Sequence, residues 1–283
     1  MTRYLVTGAG GMLGTDLLAA LEGREVVGLT RAELDITDAK AVDAATAGFD
    51  AVINAAAFTR VDEAESHEAE ALAVNATGAE ILARATANTG ARYLLISTDY
   101  VFDGRGSAPY AETEPRHPVS AYGRTKAEGE RLALDANPRT SIVRTAWLYG
   151  EHGPNFAKTM LRLAAEREEV AVVTDQVGQP TWTADLARQI VALLDADALP
   201  GIYHGTNSGK ASWYDFAREV FELAGLDPAR VKPTDSTQFQ RPAPRPAYSV
   251  LGHDAWRRAG LDPMRDWHDA LRDAFHTGAL GAE

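Results

Sequence analysis

Residues 3–14 read RYLVTGAGGMLG: an apolar run, then a glycine cluster, then the start of a helical-period segment, Met12–Glu22. Glycine at Gly8, Gly11 and Gly14 permits positive φ and lets a pyrophosphate approach the backbone. A helix starting there adds free amides and the positive end of its dipole. The same turn could serve only to join strand to helix, so its reading depends on the rest of the chain. The glycine spacing is three and three, not the two and three of the common dinucleotide fingerprint.

Outward from that loop, apolar runs recur at Arg3–Thr7, Glu25–Thr30, Ala51–Asn54, Arg92–Ser97 and Thr140–Thr145. Helical patterns fill the gaps at Met12–Glu22, Ala39–Ala47, Ser66–Thr89 and Ala121–Asn137. The alternation predicts an α/β fold, a doubly wound parallel sheet of Rossmann type, with right-handed crossovers. Runs such as YLLIS (93–97) and AVINAAA (51–57) suit strands covered on both faces. After Gly150 the pattern loosens. It predicts helices near 155–167 and 184–195, a Ser212-capped helix to Ala224, a last helix at Met264–Phe275 and a strand near Val170–Thr174. The stretch Pro228–Pro246 is expected to be irregular, since proline interrupts ladders and helices. The predicted organisation is a dinucleotide-binding domain over 1–150, with excursions from the later chain, and a smaller substrate-binding region over 151–283.

The chain has 45% hydrophobic and 24% charged residues, an ordinary globular composition. Lys+Arg 28 against Asp+Glu 40 leaves a charge of −12, which disfavours nucleic acid and anionic membrane surfaces as partners. A small anion at a helix start remains compatible with that field. Zero Cys excludes disulfides, thiolate metal sites and Cys nucleophiles. No run approaches the ~18 apolar residues of a membrane helix, and the opening residues lack a signal-peptide core. A soluble cytoplasmic protein is expected. The seven His show no pair at metal-ligand spacing, so no metal is expected. The acidic cluster Asp62, Glu63, Glu65, Glu68 and Glu70 reads as a solvated face matched to a helix dipole, and Trp213 with Phe216 as core.

A fold that selects NAD places Asp or Glu after the second strand; here Thr30 and Arg31 stand instead. Arg31 can accept a 2′-phosphate, which favours NADPH while leaving NADH possible, and it can equally be a surface residue. Tyr122 and Lys126 lie four apart in SAYGRTK (120–126), on one helix face. An ammonium near the phenol favours phenolate and would lower the tyrosine from its usual pKa of ~10. Thr98 closes the fourth predicted strand, at the sheet end where ligands gather, and its hydroxyl can meet a carbonyl. The plain alternatives are an exposed i,i+4 pair and a turn-capping threonine.

Further motifs are NAAA (54–57), STDYVFDG (97–104), NFAKTM (155–160), DQVGQPT (175–181) and Arg245-Pro246 ahead of Ser249 and Leu251. With these the chain resembles, over almost its whole length, the extended short-chain dehydrogenase/reductases and within them the dTDP-4-dehydrorhamnose reductase family. The resemblance implies that Thr98 polarises a sugar ketone, that Tyr122 is the catalytic acid and that Lys126 holds the ribose. It implies NADP(H) binding by Gly8, Gly11, Met12, Leu13 and Gly14, with Asp35 and Ile36 near adenine and Ala55, Ala56 and Ala57 lining the cofactor. Asp99, Tyr100, Trp147 and Asn155 would face a dTDP-sugar, joined by Gln176 and Arg245. A homodimer is implied as well. Tyr248 and Trp182 depart from the family pattern.

The implied reaction is reduction of the C4 ketone of dTDP-4-dehydro-β-L-rhamnose to dTDP-L-rhamnose. Nucleotide-sugar 4,6-dehydratases of the superfamily resemble Thr-Asp-Glu where this chain reads Thr98-Asp99-Tyr100. Water elimination needs an acid and a base at adjacent carbons, so a simple ketone reductase is expected here. Two alternatives stay open: a reductase or epimerase of another nucleotide-linked 4-keto-6-deoxy sugar, and a non-catalytic dinucleotide-binding regulatory subunit.

Overall fold

In the computed structural model, which describes residues 1–281, the central element is a six-stranded sheet. Its first five strands in sequence are β1 (Arg3–Thr7), β2 (Glu25–Leu29), β3 (Ala51–Asn54), β4 (Arg92–Thr98) and β5 (Thr140–Thr145). In space the order is β2, β1, β3, β4, β5 and then a strand from residues 201–204, every pairing parallel. The winding reverses between β1 and β3. The glycine loop after β1 therefore opens into the crevice where such sheets bind ligands. Leu5, Val6, Val52, Ile53, Leu94, Leu95, Ile142 and Val143 are all fully buried, which is why these strands read as unbroken apolar runs.

The helices of this half are α1 (Met12–Ala20), α2 (Ala39–Thr46), α3 (Val61–Ala64), α4 (Glu68–Leu72), α5 (Gly78–Thr89) and α6 (Ala121–Ala136). The single helix expected over 66–89 is instead interrupted by a π turn at Ala73–Thr77. The polar residue inside it explains the break. Asn75 is buried; its side-chain oxygen accepts from the Phe58 N–H at 2.8 Å, and its Nδ2 donates to the Phe58 carbonyl and to Thr125 Oγ1, both at 3.1 Å. Here α6 comes so close that a Cβ on Gly129 would lie 2.1 Å from the Asn75 carbonyl. The widened turn serves both contacts.

The later chain runs through β6 (Leu148–Tyr149), α7 (Phe156–Glu166), β7 (Val170–Val173), β8 (Val177–Gly178), β9 (Thr181–Trp182) and α8 (Thr183–Asp195). It continues through β10 (Gly201–His204), β11 (Ala211–Ser212), α9 (Trp213–Leu223), β12 (Val231–Thr234), α10 (Asp254–Arg258) and α11 (Trp267–His276). Residues after 150 do not stay apart from the sheet: β10 extends it, and Leu186 and Ile190 of α8 share a core with Leu13 and Leu17 of α1. A second core gathers Tyr149, Phe216, Phe221, Trp267 and Leu271.

Three local expectations change. The proline-rich stretch holds a strand, because Pro233 lies in β12, which pairs only with β7 and keeps an open edge where a missing N–H is tolerated. The last helix begins at Trp267, since the side chain of Asp266 accepts from the His268 N–H and caps it there. A short helix, α10, occurs where none was expected.

Candidate active site

At the nucleotide end, Gly8 has φ +72° and packs against the start of the Ala55–Ala57 segment; a Cβ on it would lie 2.5 Å from the Ala56 nitrogen. Gly14 rests on the same loop, where a Cβ would meet the Gly8 carbonyl at 2.2 Å. Gly11 begins α1 and no side chain caps that end. The helices α2, α6, α7, α9 and α11 all have a side-chain cap. The first-turn amides of Met12, Leu13 and Gly14 therefore have no side-chain acceptor at the start of α1, a donor set that fits a dinucleotide pyrophosphate.

The neighbouring residues divide between exposed and packed. Arg31 is exposed beside Asp35, whose carboxylate accepts from the N–H (2.9 Å) and hydroxyl (2.7 Å) of Thr37 and is thereby held below the usual range. Ile36 is buried against Gly78. Ala55 is tied to β1 by its N–H donating to the Thr7 carbonyl at 3.1 Å, and Ala56 donates to Asn54 Oδ1 at 3.0 Å.

At the catalytic end, Thr98 closes β4 opposite Thr145 of β5, and both are buried. Thr98 Oγ1 donates to Asp99 Oδ1 at 3.0 Å. The other Asp99 oxygen is buried without a partner; burial pushes this carboxyl up to about 6, against the lowering effect of the Ser249 and Thr98 hydroxyls. Tyr122 lies in the first turn of α6 with its ring 5.5 Å from that of Tyr100, edge to face. Burial pushes its phenol up to about 12, with the Thr98 hydroxyl opposing. Lys126, one turn later, donates from Nζ to the Ile96 carbonyl at 2.7 Å. Burial lowers it to about 8, and the Glu130 charge works the other way. The expected lowering of the phenol by the ammonium is therefore not what the structure holds. Desolvation dominates both groups, the ammonium is turned onto β4, and burial favours the neutral form of the Tyr122 phenol.

The remaining candidates lie on the side of the later chain. Trp147 follows β5 and stacks on Trp213 with ring centres 3.6 Å apart. Asn155 caps α7 through its Oδ1 and donates from Nδ2 to the Gly150 carbonyl at 2.9 Å, so both polar atoms are engaged within the chain. Gln176 donates to Ser236 Oγ at 2.9 Å. Arg245 pairs with Asp62 at 2.9 Å and lies near enough to Tyr100 to oppose the upward push that burial gives its phenol.

Sequence reasoning missed several supports. Asn75 pins the Phe58 loop to α6; its signal was one amide inside an apolar helical run. Glu130 and Arg144, both fully buried, form a two-point ion pair at 2.7 and 2.9 Å, and Ser97 Oγ donates to the same carboxylate at 2.5 Å. The acidic cluster is also more than a solvated face. Glu65 accepts from the Ala121 N–H at the start of α6, Glu68 pairs with Arg124 at both oxygens, and Asp62 holds Arg245. Among the described residues, no group of three or more His, Asp or Glu is arranged to hold a metal ion, and no helix is long and apolar enough to cross a membrane.

A parallel doubly wound sheet, an uncapped glycine-led helix at its switch point and a buried tyrosine beside a strand-end threonine define a class: the extended short-chain dehydrogenase/reductases. The sequence model described as the RmlD substrate binding domain matches residues 2–279. The chain is 53% identical over 278 residues to a dTDP-4-keto-6-deoxy-D-glucose reductase of Streptomyces niveus, covering 96% of each. It is 52% identical over 282 residues to a dTDP-4-dehydrorhamnose reductase of Streptomyces griseus, covering 96% of this chain and 93% of that one. A crystal structure of the dTDP-4-dehydrorhamnose reductase of Bacillus anthracis in complex with NADP superposes with a TM-score of 0.94 at 38% identity, covering 98% of this chain and 100% of that one. The chain belongs to the dTDP-4-dehydrorhamnose reductase family, and it is an NAD(P)H-dependent sugar ketoreductase.

Proposed function

We propose that this protein reduces the C4 ketone of dTDP-4-dehydro-β-L-rhamnose with NADPH, giving dTDP-L-rhamnose, and does so in the cytoplasm. The observation that carries the reading is the buried neutral phenol of Tyr122 beside Thr98, at the carboxyl end of β4 in a sheet whose glycine loop fits a pyrophosphate. When bound, the reduced nicotinamide supplies the hydride. Thr98 turns its hydroxyl from Asp99 to donate a hydrogen bond to the ketone oxygen and polarises it, and Tyr122 gives its proton to that oxygen as negative charge develops there. A phenol held neutral up to about 12 keeps its proton available throughout the physiological range.

Gly8, Gly11, Met12, Leu13 and Gly14 would hold the pyrophosphate, with Ala55 to Ala57 along one side and Lys126 at the ribose. Arg31, exposed after β2 where an acidic residue would select NAD, supports NADPH. Asp99, Tyr100, Trp147 and Arg245 line the sugar side, with Gln176 behind them. Tyr100 stands where a dehydratase would need a second acid or base, which supports reduction without elimination. The likeness to the dTDP-4-keto-6-deoxy-D-glucose reductase of Streptomyces niveus favours a second reading, reduction of dTDP-4-keto-6-deoxy-D-glucose.

The test follows NADPH absorbance loss with each of these two sugars, with NADH run alongside. Turnover is expected with the rhamnose precursor and NADPH, and Tyr122→Phe should lower it by about 10²–10⁴. A Phe variant of undiminished turnover refutes the role of Tyr122, and turnover restricted to the other sugar refutes the substrate.

A further inference from the structure

Trp147 has φ +47°, a backbone conformation that side chains other than glycine rarely adopt. Such a conformation persists only where its surroundings over-determine it, and three contacts do so here. Trp213, at the start of α9, lies flat on one face of the indole, with 3.6 Å between ring centres and 8° between planes. Phe156 of α7 backs Trp213 at 4.5 Å. On the other side is Gly178 of β8, where a Cβ would lie 2.6 Å from Cε2, 2.8 Å from Cζ2 and 2.9 Å from Nε1 of Trp147. The Trp147 carbonyl is held as well, accepting from the Thr181 N–H at 3.1 Å.

The place of this sandwich in the fold gives it meaning. Trp147 lies two residues past Thr145, the β5 residue paired with Thr98, so it stands beside the strand ends that carry the catalytic hydroxyl. It is only half-buried although Trp213 and Gly178 both pack against it, so part of the indole stays open. The stack with Trp213 takes one indole face away from contact with a sugar ring. We propose that Gly178 and Trp213 clamp Trp147 at the sugar subsite and are specificity-determining positioning residues: the fixed indole limits which faces of a nucleotide-linked keto sugar can approach Thr98 and Tyr122. The proposal rests on the assignment of Trp147 to the sugar side in the function proposed above.

The experiment compares wild type with Trp213→Ala, Trp213→Phe and Gly178→Ala, using the keto sugar that wild type reduces best and its C5 epimer. Two stacked indoles give a circular-dichroism exciton couplet, which reports the clamp independently of activity. For Trp213→Ala the couplet should vanish, and misplacement of the indole should raise the sugar-nucleotide KM by roughly 10-fold or more. The preference between the two sugars should shrink, while the KM for NADPH stays at its wild-type value. Trp213→Phe, which keeps an aromatic wall, should restore the sugar KM and the preference without the couplet. Gly178→Ala, pushing from the other face, should raise the sugar KM in the same way and serves as the second variant should Trp213→Ala fold poorly. For Trp213→Ala, a sugar KM and preference that stay at the wild-type values overturn the proposal. So does a rise in both KM values together, which would mark a purely structural role. Because each variant is read against whichever sugar wild type reduces, an error in the substrate assignment registers in the wild-type assay and not as failure of the clamp.

Discussion

The two ends of the crevice are built on different principles. At the glycine loop the candidate ligand contacts are backbone amides, and what matters at Gly8 and Gly14 is the absence of a side chain. At the proposed sugar end the candidate contacts are side chains, each held by residues far along the chain: Trp147 by Gly178 and Trp213, Arg245 by Asp62. Backbone recognition tolerates almost no local change, because every extra atom falls on main chain. Side-chain recognition can be retuned by altering a support without touching the ligand.

Gly14→Ala is the most severe challenge to that contrast. Its Cβ would meet the Gly8 carbonyl at 2.2 Å and the Ala9 Cα at 2.8 Å, all main chain, so α1 must move off the loop. NADPH affinity measured by fluorescence titration should fall by roughly 10²-fold, since an ångström-scale displacement is enough for a loss of that size. Affinity retained at the wild-type level would show that the loop is no more than a packing turn.

Glu130→Gln probes the hinge between the two ends. Its carboxylate pairs with buried Arg144 of β5, receives the Ser97 hydroxyl next to Thr98 and opposes the lowering of Lys126. Leaving the guanidinium uncompensated in the interior should cost about 3–5 kcal/mol in a denaturant titration. Turnover should fall with it, because the same carboxylate ties α6, which carries Lys126, to Ser97 of β4, next to Thr98. A loss below about 1 kcal/mol, the size seen for exposed pairs, would mean that solvent reaches the site.

The smallest expected effect sharpens the comparison at Asn155. Its side chain accepts from the Lys158 N–H at 3.1 Å and donates to the Gly150 carbonyl, which describes a helix cap. Asn155→Ala should therefore cost about 1 kcal/mol in thermal or denaturant unfolding, with the sugar KM unchanged. A raised KM at unchanged stability would place this residue among the direct sugar contacts.

The elements from β1 to β5 were legible because their signals are local. An apolar run of strand length, a glycine cluster and a helical period can each be read within a dozen residues, and β1, β3 and β5 coincide with the predicted runs. Thr98, Tyr122 and Lys126 were legible for a similar reason: one closes a strand and the others share a helix turn. The electrostatics of that group were not legible. Four-residue spacing says that a phenol and an ammonium share a face, but burial sets both pKa shifts, raising one and lowering the other. The Pro233 strand and the break at Asn75 were missed because each answers to a partner, β7 in one case and α6 with the Phe58 loop in the other.

The amino-acid order alone determined the parallel sheet and marked the glycine-led loop and the trio Thr98, Tyr122 and Lys126 as candidates, since each follows from side-chain periodicity or backbone freedom over a few residues. Tertiary structure alone decided how those groups are held. Glu65 meets Ala121 across 56 positions, Asn75 meets Thr125 across 50, and Asp62 meets Ala243 across 181. Contacts of such separation depend on which surfaces the fold brings together, and no local pattern encodes them.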